Sequence, residues 1–387
     1  MKTILAKYFR GDLVIWMVII ILSIFSLLAV YSSTGTLAYK SAGGNTTFYL
    51  FRHSVLLVVG FMVIYFTHLV PYIYFSRIAQ ILFWISIPLI FLTTFILGTN
   101  MNEASRWLTL PGIGLTFQTS DLAKLALIMY IARLLSQKQD SIKSFKDAFK
   151  PLMIPVILTC GMILPANFST AAILFTTSMV LMFIGRVNIK YILYLVGIGI
   201  VLLSIFITII INTSNHGRVG TWKKRIENFT SNDIDSDSNF QADQAKIAIV
   251  TGGILGKGPG NSTQRNYLPH PYSDFIFAII IEEYGSILGG GFVVILYLIL
   301  LYRAIIIVKN GTSQFGAFMA IGLTFSLVFQ GLINMAVAVN LFPVTGQTLP
   351  FVSMGGTSIL FTSVALGIVL SVSRSIQNTE ENANAEN

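Results

Sequence analysis

The segment from residue 13 to residue 33, LVIWMVIIILSIFSLLAVYSS, contains no charged side chain. As a helix rising ~1.5 Å per residue it is long enough to cross the roughly 30 Å hydrocarbon core of a bilayer. The pattern recurs. Apolar runs separated by polar or Gly/Pro-marked breaks predict ten spans, at residues 13–33, 50–70, 79–98, 121–137, 149–165, 168–185, 190–212, 284–308, 314–338 and 357–375. The fourth to sixth are short and closely spaced. Most breaks are brief, and residues 213–283 form the one large polar region. Its first half, with RIENFTSNDIDSDSNF, suits a solvated loop. Its second half, QADQAKIAIVTGGILGKGPGN, alternates a short helical pattern with glycine turns. A long loop with local structure of its own is usually functional. The organisation predicted is one transmembrane domain over residues 1–375 and a short disordered acidic tail, 376–387, in the cytoplasm.

Composition agrees with this pattern. Of 387 residues, 54% are hydrophobic and 11% charged, against about 25% charged in soluble domains. The predicted fold class is all-α, a polytopic membrane protein. The net charge of +9 does not point to nucleic acid, because the basic residues are spread over loops. They indicate orientation instead. With the N-terminus inside, the inner side holds Lys2, Lys7, Arg10, Arg77, Arg133, Lys138, Lys143, Lys146, Lys150, Arg186, Lys190, Arg303, Lys309 and Arg374. The short outer loops and their edges hold only Lys40, Arg52 and Arg106. Both termini are therefore expected in the cytoplasm, and the 213–283 loop, between spans seven and eight, outside. The first span carries no small-residue cleavage pattern and reads as retained. Cys160 is the only cysteine, which leaves neither a disulfide framework nor a Cys-rich metal site. His53, His68, His216 and His270 are too scattered for zinc.

Candidate chemistry gathers toward the outer side. In YLPHPYSDFIFAIIIEEYG (267–285), Asp274 stands where the polar loop meets an apolar run. A carboxylate there is either a helix cap or dipole partner, or a base at the lipid–water boundary. On one continuous helix Glu282 would lie about 12 Å further along the axis, so the two carboxylates do not share a bond as an acid/base couple. Glu282 and Glu283 read as groups turned to a polar interior, or as hydrogen-bonded braces. Asp121 and Lys124 are three apart, neighbours on one helix face; they form either a buried ion pair or part of a site with Arg106. Residues 334–358 contain two prolines, Gly346, Ser353, Gly355 and Gly356. Irregular backbone at membrane depth lines a cavity or is packed in protein. GGILGKGPGNS (252–262) lacks the spacing of a nucleotide-binding loop, yet its backbone N–H groups and Lys257 suit a pyrophosphate.

Together these stretches resemble the SEDS proteins (shape, elongation, division and sporulation), ten-span bacterial peptidoglycan glycosyltransferases. GKGPGNSTQRNYLPHPYSDFIFAIIIEEYG, FPVTGQTLPFVSMGGTS and RWLTLPGIGLTFQTSDLAK are similar to three family blocks in the same order, and INMAVAVNLFPVTGQTLPFVS looks more like the division branch than the elongation branch. There are departures. His270 replaces a family glutamate, Tyr272 a histidine, Thr119-Ser120-Asp121 a P-S-E with a shortened acid, and Asn167 an aspartate, so no catalytic role of the family's glutamate or aspartate carries over to those positions. Asp274, Arg106 and Lys124 are retained. The resemblance implies polymerisation of lipid II with inversion at the donor sugar and release of undecaprenyl pyrophosphate. Asp274 would be the base. Arg106, Asp121, Lys124, Lys257, Asn261, Ser262, Glu282, Glu283, Ser353, Gly355 and Gly356 would form the substrate-binding set. It leaves a divalent cation (Mg or Mn) open, with no metal ligand assigned, and calls for no organic cofactor. The implied partners are a class B penicillin-binding protein transpeptidase and divisome regulatory membrane proteins at the septum of the bacterial inner membrane. A lipid II flippase, an elongation-type polymerase and a scaffold are the alternatives.

Overall fold

Each of the ten apolar runs is helical over most of its length. A computed structural model describes residues 9–41, 43, 45–97, 99–101, 104–109, 116–212, 220, 223, 237–268 and 270–386. The helices are α1 (Leu13–Ser33), α2 (Gly35–Ser41), α3 (Thr46–Leu69), α4 (Tyr74–Leu92), α5 (Thr119–Gln137), α6 (Lys150–Ile163), α7 (Phe168–Ile184), α8 (Ile189–Asn212), α9 (Asp237–Gly252), α10 (Ile276–Tyr284), α11 (Phe292–Asn310), α12 (Gln314–Ala338) and α13 (Gly356–Glu386). Six helical stretches among the described residues are long and apolar enough to cross a membrane: Leu13–Ser33, Thr46–Leu69, Tyr74–Ile96, Ser286–Asn310, Gln314–Ala338 and Gly356–Thr379. Three of the other four runs fall short for visible reasons. α5 carries Asp121, Lys124 and Arg133, α6 has 14 residues and α7 has 17. α8 is 24 residues long and apolar along its length. α13 continues to Glu386, through residues whose composition reads as an unstructured tail.

By its contacts the chain divides into two compact units. One contains residues 71–230 and 311–326. In it α4 packs on α5, with Phe83 and Tyr130 stacked at 4.5 Å, and Arg133 donates to the Ser76 carbonyl at 2.8 Å. It also holds three strands that hydropathy does not announce. β1 (Thr99–Met101), β2 (Ala104–Thr109) and β3 (Thr116–Gln118) form an antiparallel sheet in that order, with Trp107 opposite Gln118. Asn167 caps α7, its Oδ1 accepting from Thr170 N at 3.3 Å. That is a structural task for a residue at a family aspartate position.

The other unit contains residues 1–70, 231–310 and 327–387. Asp12 caps α1 through Val14 N at 2.9 Å and pairs with Arg303 of α11 at 2.6 Å. Past the middle of α1, Phe25 meets Phe292 with ring centroids 5.6 Å apart. α1 and α11 are therefore antiparallel. α3 and α13 are parallel: Gly60 lies against Ser363, Gly367 against Ile64 and Thr67, and Arg374 donates to the Leu69 carbonyl at 3.0 Å. Small residues let two helices approach this closely in lipid. A Cβ on Gly367 would stand 2.6 Å from Thr67 Cβ and 2.9 Å from the Ile64 carbonyl. Gly367→Leu is expected to force the helices apart and to cost about 1–3 kcal/mol. The thermal unfolding midpoint in detergent measures this, and an unchanged midpoint would contradict the contact.

Candidate active site

The site is built around α10, whose nine residues begin IFAIII. A helix apolar on every side is a core helix, and Ile276 to Ile281 are each no more than 4% exposed. It ends at Gly285, which takes φ +82°. A π-helical turn, Ser286–Gly291, follows before α11. A short buried helix thus precedes the predicted eighth span, 284–308, and is separated from its long helix because the left-handed backbone at Gly285 stops it.

Asp274 stands two residues before α10 and is half-buried. Ser273 Oγ donates to its Oδ1 at 2.9 Å. Its main chain is held from elsewhere. The carbonyls of Tyr272, Ser273 and Asp274 accept in turn from Met354 N at 2.9 Å, Ser353 Oγ at 2.7 Å and Asn334 Nδ2 at 2.8 Å. Oδ2 faces Gly346, where an added Cβ would lie 3.8 Å away. Gly346 has φ +66°, a conformation that a side chain would strain. Burial raises the Tyr272 phenol above its ordinary value, and Tyr49 and the Asp274 carboxylate add to the shift. Tyr272 therefore remains a proton-bearing neighbour of the carboxylate. His270 is exposed, its Nδ1 3.4 Å from Tyr272 Oη.

Glu282 and Glu283 lie at the other end of α10, at 0% and 1% exposure. The glycine loop closes over them. Lys257 N and Gly258 N donate to the Glu282 and Glu283 carbonyls, each at 2.9 Å, so the last peptide groups of α10 are satisfied by the loop's backbone. Gly256 fits only as glycine, since its φ is +83° and a Cβ would lie 2.3 Å from the Glu283 carbonyl. The Glu282 carboxylate receives Lys257 Nζ at 2.6 Å, Thr263 Oγ1 at 2.9 Å, Thr263 N at 3.1 Å and the Ser262 hydroxyl. Burial by itself raises this carboxyl, but the hydrogen bonds from Lys257, Ser262 and Thr263 outweigh it and hold Glu282 below its ordinary value. For Glu283 burial wins over the bonds from Ser32 and the loop backbone and the charge of Arg265, and the carboxyl is raised. Ser32 of α1 donates to Glu283, and Arg265 Nη1 donates to Ser32 Oγ at 3.0 Å.

The residues singled out from sequence fall into separate settings. Lys257, Ser262, Glu282 and Glu283 share one buried network, and Asn261 Nδ2 donates to the Lys257 carbonyl at 3.0 Å. Ser353 touches the Asp274 turn, as described above. Gly355 and Gly356 lead into α13, with Gly356 exposed. Asp121, in the first turn of α5, pairs with Lys124 one turn on at 2.8 Å. Arg106 lies in β2, and its side chain is outside the described residues. Among the described residues no three of His, Cys, Asp and Glu are grouped to hold a metal ion, so they offer a divalent cation no ready-made seat. Sequence reasoning passed over Gln330 and Asn334. They are four apart on α12, so they share a face, and they donate to the Thr348 and Gln347 carbonyls at 3.0 and 2.7 Å. Two amide side chains at that spacing in an apolar helix were the available signal.

A carboxyl held below its ordinary value contributes stability that is full above 4.5 and lost as pH falls through the folded value. Glu282→Gln is expected to destabilise the protein on the order of 2 kcal/mol at neutral pH. The gap to wild type should close as pH drops below 4.5. Thermal unfolding in detergent across that range checks the sign; a gap that does not change with pH would contradict an ionised Glu282.

The family model FTSW_RODA_SPOVE, described as a cell cycle protein, matches residues 12–378. A Trichlorobacter lovleyi protein named "Probable peptidoglycan glycosyltransferase FtsW" is 32% identical over 385 residues, covering 97% of both chains. Stage V sporulation protein E of Bacillus subtilis is 32% identical over 371 residues, 94% of this chain and 97% of that protein. A chain from the solved structure reported as "Structural coordination of polymerization and crosslinking by a peptidoglycan synthase complex" shares the fold, with TM-score 0.70, 23% identity and coverage of 95% and 98%. The rod shape determining protein RodA of Thermus thermophilus does too, with TM-score 0.68, 22% identity and the same coverage of 95% and 98%. The chain, a multi-pass membrane protein, belongs to the FtsW, RodA and SpoVE family of cell cycle proteins.

Proposed function

We propose that this chain is a peptidoglycan glycosyltransferase of the division branch, polymerising lipid II into glycan strands with Asp274 as general base. The observation that carries the reading is Asp274 itself, a half-buried carboxylate whose backbone is fixed on three successive carbonyls. The names of the relatives supply the reaction class. In the transfer, an acceptor hydroxyl gives its proton to the Asp274 carboxylate as its oxygen bonds to the donor sugar's anomeric carbon. The bond from that carbon to the pyrophosphate breaks on the opposite face, inverting the centre. Pyrophosphate is already a good leaving group, so one base suffices where glycosidases use two carboxylates. Its charge still needs cations. A divalent cation arriving with the substrate would supply them.

The topology proposed is ten spans with both termini in the cytoplasm and the 213–283 loop outside, in the inner membrane at the septum. The Lys and Arg distribution supports it. So does the antiparallel packing of α1 and α11, because α11 then starts away from Asp12, on the side of the turn whose Ser286 bonds the glycine loop. Asp274 would meet lipid II where its sugars emerge while the lipid tail stays in the bilayer. The partners proposed are a class B penicillin-binding protein transpeptidase and divisome regulatory membrane proteins.

Purified protein, reconstituted with its cognate transpeptidase, should polymerise labelled lipid II. Asp274→Ala should lower the rate about 100-fold or more while still capturing the transpeptidase. Normal polymerisation by the variant would overturn the base assignment. Movement of lipid II across vesicles by both proteins, with glycan from neither, would favour a flippase.

A further inference from the structure

We infer that Asn334 and Ser353 are positioning residues for glycosyl transfer, clamping the main chain of the Asp274 turn so that its carboxylate is aimed at the acceptor. The inference rests on the reading of Asp274 as base.

The segment before α10 has no regular partner for its peptide groups, and the N-terminal position of the helix, Phe275, makes no side-chain cap. Such carbonyls ordinarily turn to water. Here side chains from distant parts of the sequence take two of them. Ser353 Oγ donates to the Ser273 carbonyl at 2.7 Å and accepts from Leu349 N at 2.8 Å. Asn334 spends both hydrogens of one nitrogen, on the Asp274 carbonyl at 2.8 Å and on the Gln347 carbonyl at 2.7 Å. Gln347 follows Gly346, the residue facing Asp274 Oδ2. One amide group thus ties the base's main chain to the bare backbone opposite its carboxylate, fixing the width between them.

The remaining atom of Asn334 sharpens the point. Its Oδ1 is buried and has no hydrogen-bond partner among the described residues. Leaving a buried acceptor unpaired is costly, so stability alone is a poor reason for asparagine at this position. What asparagine supplies is a nitrogen that donates twice from a short stem. Ser353 is 2% exposed and Asn334 1%, so neither gains from water, and both act through the turn they hold. A displacement of about 1 Å at a reacting group costs on the order of 100-fold in rate.

The test is lipid II polymerisation by the full-length chain with its cognate transpeptidase, comparing wild type, Asn334→Leu, Ser353→Ala, Asp274→Ala and the pair Asn334→Leu/Asp274→Ala. Asn334→Leu should lower kcat about 10- to 100-fold, with KM for lipid II within about twofold. Ser353→Ala removes one hydroxyl only and should lose about 3- to 10-fold in kcat, which keeps the inference testable if Asn334→Leu folds poorly. Added to Asp274→Ala, Asn334→Leu should cause no further loss, because it acts through the carboxylate already removed. The inference is overturned if Ser353→Ala and Asn334→Leu turn over like wild type, or if Asn334→Leu brings its full loss into the Asp274→Ala background. Normal turnover by Asp274→Ala would instead overturn the base reading beneath it.

Discussion

A helix whose first six residues carry no polar side chain must be enclosed on every side over that length, and the unit that holds Asp274 is arranged to enclose α10. α1 and α9 pack along it and the turn before α11 folds back on it, while its two ends, where peptide groups go unpaired, are met by irregular segments. At the C-terminal end the glycine loop inserts its own N–H groups, which is possible only because Gly256 lacks a side chain. At the N-terminal end the loop before α13 and the amide face of α12 perform the same task for Tyr272, Ser273 and Asp274. Enclosure of an apolar segment therefore produces a carboxylate with a fixed backbone.

The buried charges follow from the same enclosure. Glu282 and Glu283 are adjacent, equally out of reach of water, and answered differently. Glu282 receives an ammonium group and several hydrogen bonds and is held in its charged form. Glu283 receives a serine hydroxyl and a backbone N–H, with Arg265 acting partly through Ser32, and its carboxyl is driven up. Buried carboxylates are tolerable only when paired, and adjacent ones more readily when only one is ionised. Lys257, which sequence pattern alone offers to a pyrophosphate, is already engaged with Glu282. The glycine loop is then best understood as the closure over the C-terminal end of α10, with Asp274 left at the other end.

Much of the architecture was legible because hydropathy is a long-range signal along a chain: every apolar run became a helix. Asp274 was legible for a local reason, as an isolated carboxylate at the edge of such a run. What was not legible depends on contacts between distant positions. Lys257 meets Glu282 across 25 residues, and Ser32 meets Glu283 across 251. The strands at 99–118 are too short for alternation to show. The break at Gly285 was hidden by the apolar residues on both sides. Asn334 and Gln330 carried a readable spacing, but their partners are backbone carbonyls of an irregular loop, which leave no trace in residue types.

The central claim is that Asp274 acts on the moving proton rather than on substrate affinity. The most direct measurement separates the two in Asp274→Asn, which keeps the shape and removes the basic oxygen. Binding of lipid II to the transpeptidase complex is measured alongside single-turnover transfer. Affinity within about threefold of wild type, with transfer slower by about 100-fold or more, is the expected result. Transfer that falls only in proportion to lost affinity would contradict it and make Asp274 a binding residue.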